Sequence, residues 1–131
     1  MWIFQSDSFL SIVAPAQSDL PPPLRPKWQD YLIVRARKRG DIERVFKGVR
    51  VVKLPNRDYA FRAYVPRDRV AGVMFDRFMN IEYGNFKGSV KDDERHDAYM
   101  SVWSVMNRYQ LGQFAPAERK LAAKSFDFDW R

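Results

Sequence analysis

Apolar residues in the first half of the chain fall in short runs that are separated by polar and turn-forming residues. These runs lie at 1–4, 9–13, 31–37, 49–54 and 59–65. They are rich in aromatic and β-branched residues, and the segments between them contain Gly, Pro, Asn, Asp and Ser, a pattern typical of β-strands. The spacing therefore predicts a strand-rich first half.

Two segments among these strands show helical spacing instead. Gly40 and Asp41 open a short helix, and Pro66 fits the first position of a longer one. Five apolar residues fall on one face of the longer helix: Val70, Val73, Met74, Phe78 and Ile81. Two strands followed by a helix, twice in succession, predict an α+β fold with a ferredoxin-like ββαββα antiparallel sheet.

The C-terminal third has helical periodicity and predicts additional helices after the sheet. Asn85 can cap a short helix over 86–91, and a main helix is expected from Glu94 to Tyr109. Its apolar stripe is wide, which predicts a packed face: Ala98, Val102, Val105 and Tyr109, widened by Tyr99, Met100, Trp103 and Met106. We therefore expect a single α+β domain over 1–111 and a tail with a short helix over 112–131.

The segment 14–29 holds five of the eight prolines. Proline fixes φ and removes a backbone donor, so this segment is excluded from a helix interior or a central strand. It is predicted to be a surface loop, partly in the polyproline II conformation. A spacer between strands is the simpler interpretation, and docking into an SH3-like groove is the alternative.

Positive charge is concentrated in one part of the sequence. The chain of 131 residues has a formal net charge of +7. Residues 35–69 contain twelve basic and four acidic side chains, a local net charge of +8, and the remaining residues sum to −1. A localised excess of this kind favours a polyanion as the partner of that segment.

Basic and aromatic residues alternate on the strands of this segment, as they do on sheets that bind phosphates and stack bases. Lys38 and Arg39 precede a predicted helix start, where backbone donors favour phosphate. A solvated basic surface that serves solubility is the alternative interpretation. The candidate nucleic-acid-binding residues are Arg35, Arg37, Lys38, Arg39, Arg62 and Tyr64.

The end of the chain is aromatic and acidic. Phe126, Phe128 and Trp130 alternate with aspartates. Three exposed aromatic residues are unusual on a monomer, so we expect this tail to fold back on the domain or to bind a partner.

Catalytic chemistry has little support in the sequence. There are no cysteines, which excludes disulfides, thiolate metal sites and a cysteine nucleophile. His96 is the single histidine, and Asp92 and Asp93 precede it at helical spacing, so an acid–base pair or a weak metal site is the enzymatic alternative. Without a nucleotide-binding or catalytic motif, we expect no enzyme activity, no cofactor and no metal site.

The N-terminal apolar runs do not form a signal peptide. Polar residues 5–8 interrupt them and no basic residue precedes them, and no window approaches the ~20 apolar residues that span a bilayer. We therefore expect a cytoplasmic protein without membrane contact.

Five motifs resemble a family of short bacterial and phage-borne proteins to which no activity is assigned. They lie at 1–4 (MWIF), 9–13 (FLSIV), 58–62 (DYAFR, followed by VP at 65–66), 83–87 (YGNFK) and 102–110 (VWSVMNRYQ). The resemblance covers residues 1–110, and the loop 14–29 and the connection 92–97 depart from it in length. It implies a standalone domain that can travel on mobile elements, where small accessory proteins often bind and inhibit host machinery.

These observations favour a non-enzymatic protein whose basic central sheet binds a polyanion, either nucleic acid or a nucleoprotein complex. The first alternative is a protein-interaction module, an inhibitor of host machinery or a homodimer, that uses the helical layer and the aromatic tail. The second alternative is an acid–base enzyme centred on His96.

Overall fold

The structure is a computed structural model that describes residues 1–126. Its sheet has five strands in the order β1-β2-β3-β5-β4, and every neighbouring pair is antiparallel. The strands are β1 (Trp2–Phe4), β2 (Phe9–Val13), β3 (Tyr31–Ala36), β4 (Val52–Lys53) and β5 (Phe61–Pro66). This confirms the predicted α+β class with an antiparallel sheet.

Five helices accompany the sheet in the described part of the chain. They are α1 (Asp41–Val45), α2 (Arg67–Met79), α3 (Phe86–Ser89), α4 (Asp93–Gly112) and α5 (Pro116–Phe126). The chain divides into two compact units, Met1–Ile81 with the whole sheet and Glu82–Arg131 with α3 to α5. The predicted domain boundary at residue 111 stays a prediction, because compact units are not shown to be independently folding domains.

The strand order differs from that of a simple ferredoxin-like sheet. That sheet has four strands, whereas here β1 adds a fifth beside β2. A turn closes the β1–β2 hairpin, with Gln5 N–H donating to the Ser8 carbonyl at 2.8 Å, and the Met1 ammonium donates to the Ile12 carbonyl at 2.7 Å. The apolar pattern predicted a strand at 1–4 but could not assign its pairing partner.

The core of the first unit lies between one face of the sheet and helices α1 and α2. Alternate strand residues point into it, as the two-residue period of a strand requires. The helices contribute Ile42, Val45 and Phe46 from α1 and its C-terminal flank, and Val70 from α2. The buried strand residues of this face are Leu10, Ile12, Val34, Ala36, Ala63 and Val65.

Near its C-terminal end, α2 turns a different face toward the core from the one predicted. Val70, Val73 and Met74 pack on the core as predicted, but Phe78 is 68% exposed and Ile81 is 50% exposed. Arg77 takes the next helical position on the inward face and forms an ion pair with Asp7 in the β1–β2 turn. A side chain at position 78 is therefore turned toward solvent.

A buried carboxylate fixes α1 to the sheet. Asp41 is 1% exposed, and its Oδ2 accepts from the Phe9 N–H at 3.0 Å while its Oδ1 accepts from Arg44 Nη1 at 2.7 Å. Gly40 precedes it with φ +91°, a conformation that favours glycine. The Gly40-Asp41 pair thus sets the direction in which the chain enters α1.

Other boundaries differ modestly from the predicted ones. Strand β4 has only two of the six residues expected at 49–54, and the proline-rich loop contains two 3₁₀ segments, Gln17–Asp19 and Pro22–Asp30. Asn85 caps α3 as predicted, since its side chain accepts from the Gly88 N–H. Helix α4 begins one residue before and ends three residues after the predicted bounds.

The prediction that the stripe of α4 is packed is wrong for the stripe itself. Ala98 and Val102 are exposed, and Val105 and Tyr109 are 53% and 78% exposed. Amphipathic spacing shows that apolar residues share a face, but it cannot show whether the chain supplies a surface to cover that face.

Candidate anion-binding face of the sheet

The sheet face opposite α1 and α2 carries one row of side chains across all five strands. Residues that are Cα partners in antiparallel strands point to the same face of a sheet. The pairings Trp2–Ser11, Ser11–Arg35, Arg35–Arg62 and Arg62–Val52 therefore align five side chains. We call this the Arg35–Arg62 row: Trp2, Ser11, Arg35, Arg62 and Val52.

Arg35 and Arg62 lie directly opposite each other in the middle of the row. Cross-strand partners have Cα atoms about 5 Å apart, and two like charges at this spacing destabilise a sheet. Both side chains are half-buried, and the Nε atom of each is buried without a hydrogen-bond partner. The row thus places two cations and two unsatisfied donors at its centre.

The guanidinium of Arg35 is held in place by two neighbours. Its Nη2 donates to the Ser11 hydroxyl at 2.7 Å, and its Cζ lies 4.5 Å from the centroid of the Tyr59 ring. Tyr59 is 4% exposed, so its ring is a fixed surface for the cation. Arg35 is therefore oriented by contacts that leave its charge uncompensated.

Arg62 has fewer contacts than Arg35. Within residues 1–126 its side chain forms neither a hydrogen bond nor an ion pair. Since buried donors are normally satisfied in proteins, an unpaired guanidinium Nε is an uncommon feature. Tyr64 lies two residues along β5 on the same face, opposite Ile33.

Arg37 also contacts Tyr59 but is already paired with an acid. Its Cζ lies 4.2 Å from the ring centroid, and its Nη1 donates to the Asp58 carboxylate at 2.9 Å and to the Asp58 carbonyl at 2.8 Å. The hydrogen bond that Arg37 donates to Asp58 raises the pKa of Arg37 above its ordinary value. Arg37 therefore stabilises the turn before β5, and its charge is offset there.

Lys38 and Arg39 are exposed at the end of β3, where Arg39 lies 5.5 Å from the Phe61 ring. Helix α1, which follows them, has only five residues and carries Asp41 and Glu43 in its first turn. The helix dipole that was expected to favour phosphate there is already complemented by carboxylates. An extended anion would therefore be attracted there only by the side-chain charges.

An aromatic cluster lies at the β1 edge of the same face. The Phe9 ring is 6.0 Å from the Trp2 ring in an edge-on arrangement and 4.6 Å from the Phe4 ring. Trp2 is 65% exposed. Sequence reasoning missed Trp2 and Tyr59 as members of the site. Trp2 can be assigned to the face that carries Arg35 only once the strand register pairs it with Ser11.

His96 and the acidic residues near it lie at the start of α4. His96 has 41% of its side chain exposed, and its Nδ1 is 3.8 Å from the Asp97 carboxylate. Asp92, its expected acid–base partner, caps α4 by accepting from the Arg95 N–H at 2.8 Å. In residues 1–126 no three His, Cys, Asp or Glu side chains are grouped so that they could hold a metal ion.

The aromatic tail falls largely outside the described residues. Phe128 and Trp130 lie beyond them, and Phe126 is the last residue of α5. Their predicted role in partner binding stays a prediction. No helix of the described chain has both the length and the apolar character to cross a membrane.

Comparison of the chain with protein-family models, curated proteins and solved structures finds no match. The Arg35–Arg62 row is therefore the feature of the chain from which a function can be inferred.

Proposed function

We propose that the protein binds a polyanion, nucleic acid or a nucleoprotein complex, through the Arg35–Arg62 row. The observation that carries the proposal is the cross-strand pair itself, two arginines at paired Cα positions whose Nε atoms are buried without a hydrogen-bond partner. A phosphate bound beside the pair would compensate two positive charges that have no acidic partner in the described part of the chain. Guanidinium groups suit this role because their planar forks match phosphate oxygens.

The exposed ring of Trp2 extends this proposal to single-stranded nucleic acid. Trp2 lies in the same row as Arg35 and two strands away, about 10 Å. Aromatic rings beside cationic side chains on an open sheet bind single strands by stacking bases while the cations contact phosphates. We expect single strands to bind more tightly than duplexes, which present no unstacked bases.

Further basic residues of the segment 35–69 supply a supporting field. Arg67 and Arg69 donate to the backbone carbonyls of Gln29 and Lys47, contacts that leave their charges in place. Arg37 and Arg44, by contrast, are paired with Asp58 and Asp41. We therefore expect the row to orient the bound polyanion. The surrounding positive charge should increase the affinity, and this increase should weaken as the salt concentration rises.

Fluorescence anisotropy with a labelled single-stranded oligonucleotide tests the proposal. Arg62→Gln should weaken binding about tenfold or more, because a charged hydrogen bond contributes about 1.5–3 kcal/mol. Arg50→Gln is the matched control, since it removes the same charge from an exposed position outside the row and should change affinity about twofold. The proposal fails if no binding occurs at about 10 µM protein in low salt, or if the two variants lose affinity equally.

A protein-interaction module, such as an inhibitor of host machinery, is the second candidate. The exposed apolar stripe of α4 favours it, because such a surface suits a protein partner. Both candidates describe a cytoplasmic, non-enzymatic protein.

We also propose that strands β2 to β5 and helices α1 and α2 form a ferredoxin-like arrangement, to which β1 is added.

A further inference from the structure

Two arginines share one aromatic ring beside the centre of the Arg35–Arg62 row. The Cζ atoms of Arg35 and Arg37 lie 4.5 Å and 4.2 Å from the centroid of the Tyr59 ring. The ring is buried, so it holds both guanidiniums in place. Since both lie against the same ring, their separation is smaller than the Debye length, which is about 10 Å in about 0.1 M salt. A phosphate held by Arg35 would therefore feel the charge of Arg37 as well.

Asp58 makes two different contacts with Arg37. Its carbonyl accepts from Arg37 Nη1 at 2.8 Å, and its carboxylate Oδ1 accepts from the same atom at 2.9 Å. The carbonyl orients the guanidinium without changing its charge, whereas the carboxylate also offsets that charge. The side chains of Arg37 and Asp58 are 49% and 76% exposed, and ion pairs this exposed contribute little to stability. The charge of Asp58, unlike its carbonyl, therefore adds little to the stability of the fold.

We infer that Asp58 is an autoinhibitory residue of the sheet face, whose carboxylate keeps Arg37 from contacting a bound polyanion. This inference rests on the proposed function of the Arg35–Arg62 row. A phosphate that approaches Arg37 is repelled by the exposed carboxylate and has to replace a partner that the chain itself supplies. Loss of the Asp58 charge frees Arg37 as an additional phosphate contact. The carbonyl bond and the Tyr59 ring still orient its guanidinium, so little ordering is needed when the phosphate binds.

Fluorescence anisotropy with a labelled single-stranded oligonucleotide, repeated at several salt concentrations, tests the inference. Asp58→Asn removes the charge but keeps the size of the side chain and the carbonyl contact. Affinity should rise about fivefold or more in low salt, because a charged hydrogen bond to phosphate replaces a weak exposed ion pair. The slope of log affinity against log salt should steepen by about 0.7, the value for one more phosphate contact on a single strand.

Glu43→Gln is the matched control for the lost charge. It removes one negative charge from another exposed position of the segment 35–69, and it should raise affinity less than about twofold without changing the salt slope. Circular dichroism melting curves verify that both variants keep the fold. Equal gains in affinity and slope for Asp58→Asn and Glu43→Gln would show that only the overall charge matters, and would overturn the inference.

The variant Arg37→Gln separates the release of Arg37 from the loss of a negative charge. In an Arg37→Gln protein, the further change Asp58→Asn should leave the salt slope unchanged, because there is no guanidinium to release. Wild-type binding with an unchanged affinity and slope in Asp58→Asn overturns this inference alone. The same steepening with and without Arg37 also overturns it. Absence of binding by both the wild type and Asp58→Asn at about 10 µM protein in low salt overturns the proposed function, and the inference with it.

Discussion

Arg77 and Asp7 join the last turns of α2 to the β1–β2 hairpin through two hydrogen bonds, Nη1 to Oδ1 at 2.8 Å and Nη2 to Oδ2 at 3.2 Å. Burial alone would raise the pKa of Asp7, but the hydrogen bonds and charge of Arg77, helped by the Ser8 hydroxyl, outweigh it and lower that pKa below the ordinary value of 3.8. The pair therefore links fold stability to pH.

The sign of this linkage follows from the lowered pKa. The stabilisation is complete above pH 3.8 and is lost as the pH falls through the folded-state pKa. Asp7→Asn should lower the free energy of unfolding at pH 7 by up to about 1 kcal/mol, a small value because the carboxylate is partly exposed and screened. Urea denaturation at pH 7 and pH 3 should show the difference between wild type and variant shrinking in acid. Asp30→Asn, an exposed control, should show no such convergence.

Substitution of the buried carboxylate should be more damaging. Asp41→Ala removes the acceptor of the Phe9 N–H and the partner of Arg44, which should lower the free energy of unfolding by about 3 kcal/mol. Glu43→Ala, in the same helical turn but exposed, should change it by less than about 0.5 kcal/mol. Equal effects of the two variants in chemical denaturation would contradict the assigned role of Asp41.

Substitution by alanine should change the stability of the fold in opposite directions at two glycines. At Gly40, φ is +91° and a Cβ would lie 3.2 Å from Arg44 Nη2, so Gly40→Ala should destabilise the fold by about 1–2 kcal/mol. Gly72 lies inside α2 with open space around it, so Gly72→Ala should stabilise the fold by up to about 1 kcal/mol. Melting temperatures of the two variants should move to opposite sides of the wild-type value.

The ring of Tyr59 should matter for both stability and binding. Tyr59→Leu keeps an apolar side chain but removes the ring beneath Arg35 and Arg37, which should lower the free energy of unfolding by about 1–2 kcal/mol. It should also weaken oligonucleotide binding, because Arg35 loses its support. Tyr59→Phe retains the ring and should lose less of both. Identical losses for Leu and Phe would show that the ring is not the stabilising feature.

Trp2 should affect single-strand binding without affecting the fold. Trp2→Ala removes an exposed ring, so we expect little change in melting temperature but a loss of about 1–3 kcal/mol in binding free energy for a single strand. Duplex binding should be almost unchanged. Phe75→Ala removes an equally exposed ring on α2 and serves as the control, and a matching loss there would refute a specific stacking role for Trp2.

The α+β class and most elements could be predicted from the sequence because strand runs and helix caps are local signals. Asn85 and its cap on α3 are an example. The register could not be predicted, and the register alone shows that Arg35 and Arg62 face each other. The segment 35–69 was identified by its charge, but charge could not separate Arg37, which is paired with Asp58, from Arg62, which has no such partner in the described chain.

The two outer strands of the sheet are its shortest. β1 has three residues and β4 has two, one of them Lys53. Short edge strands with a charged side chain offer little backbone for another strand to pair with, which is how native sheets resist edge-to-edge aggregation. The edges of this sheet therefore disfavour the addition of a further strand and amyloid-like growth.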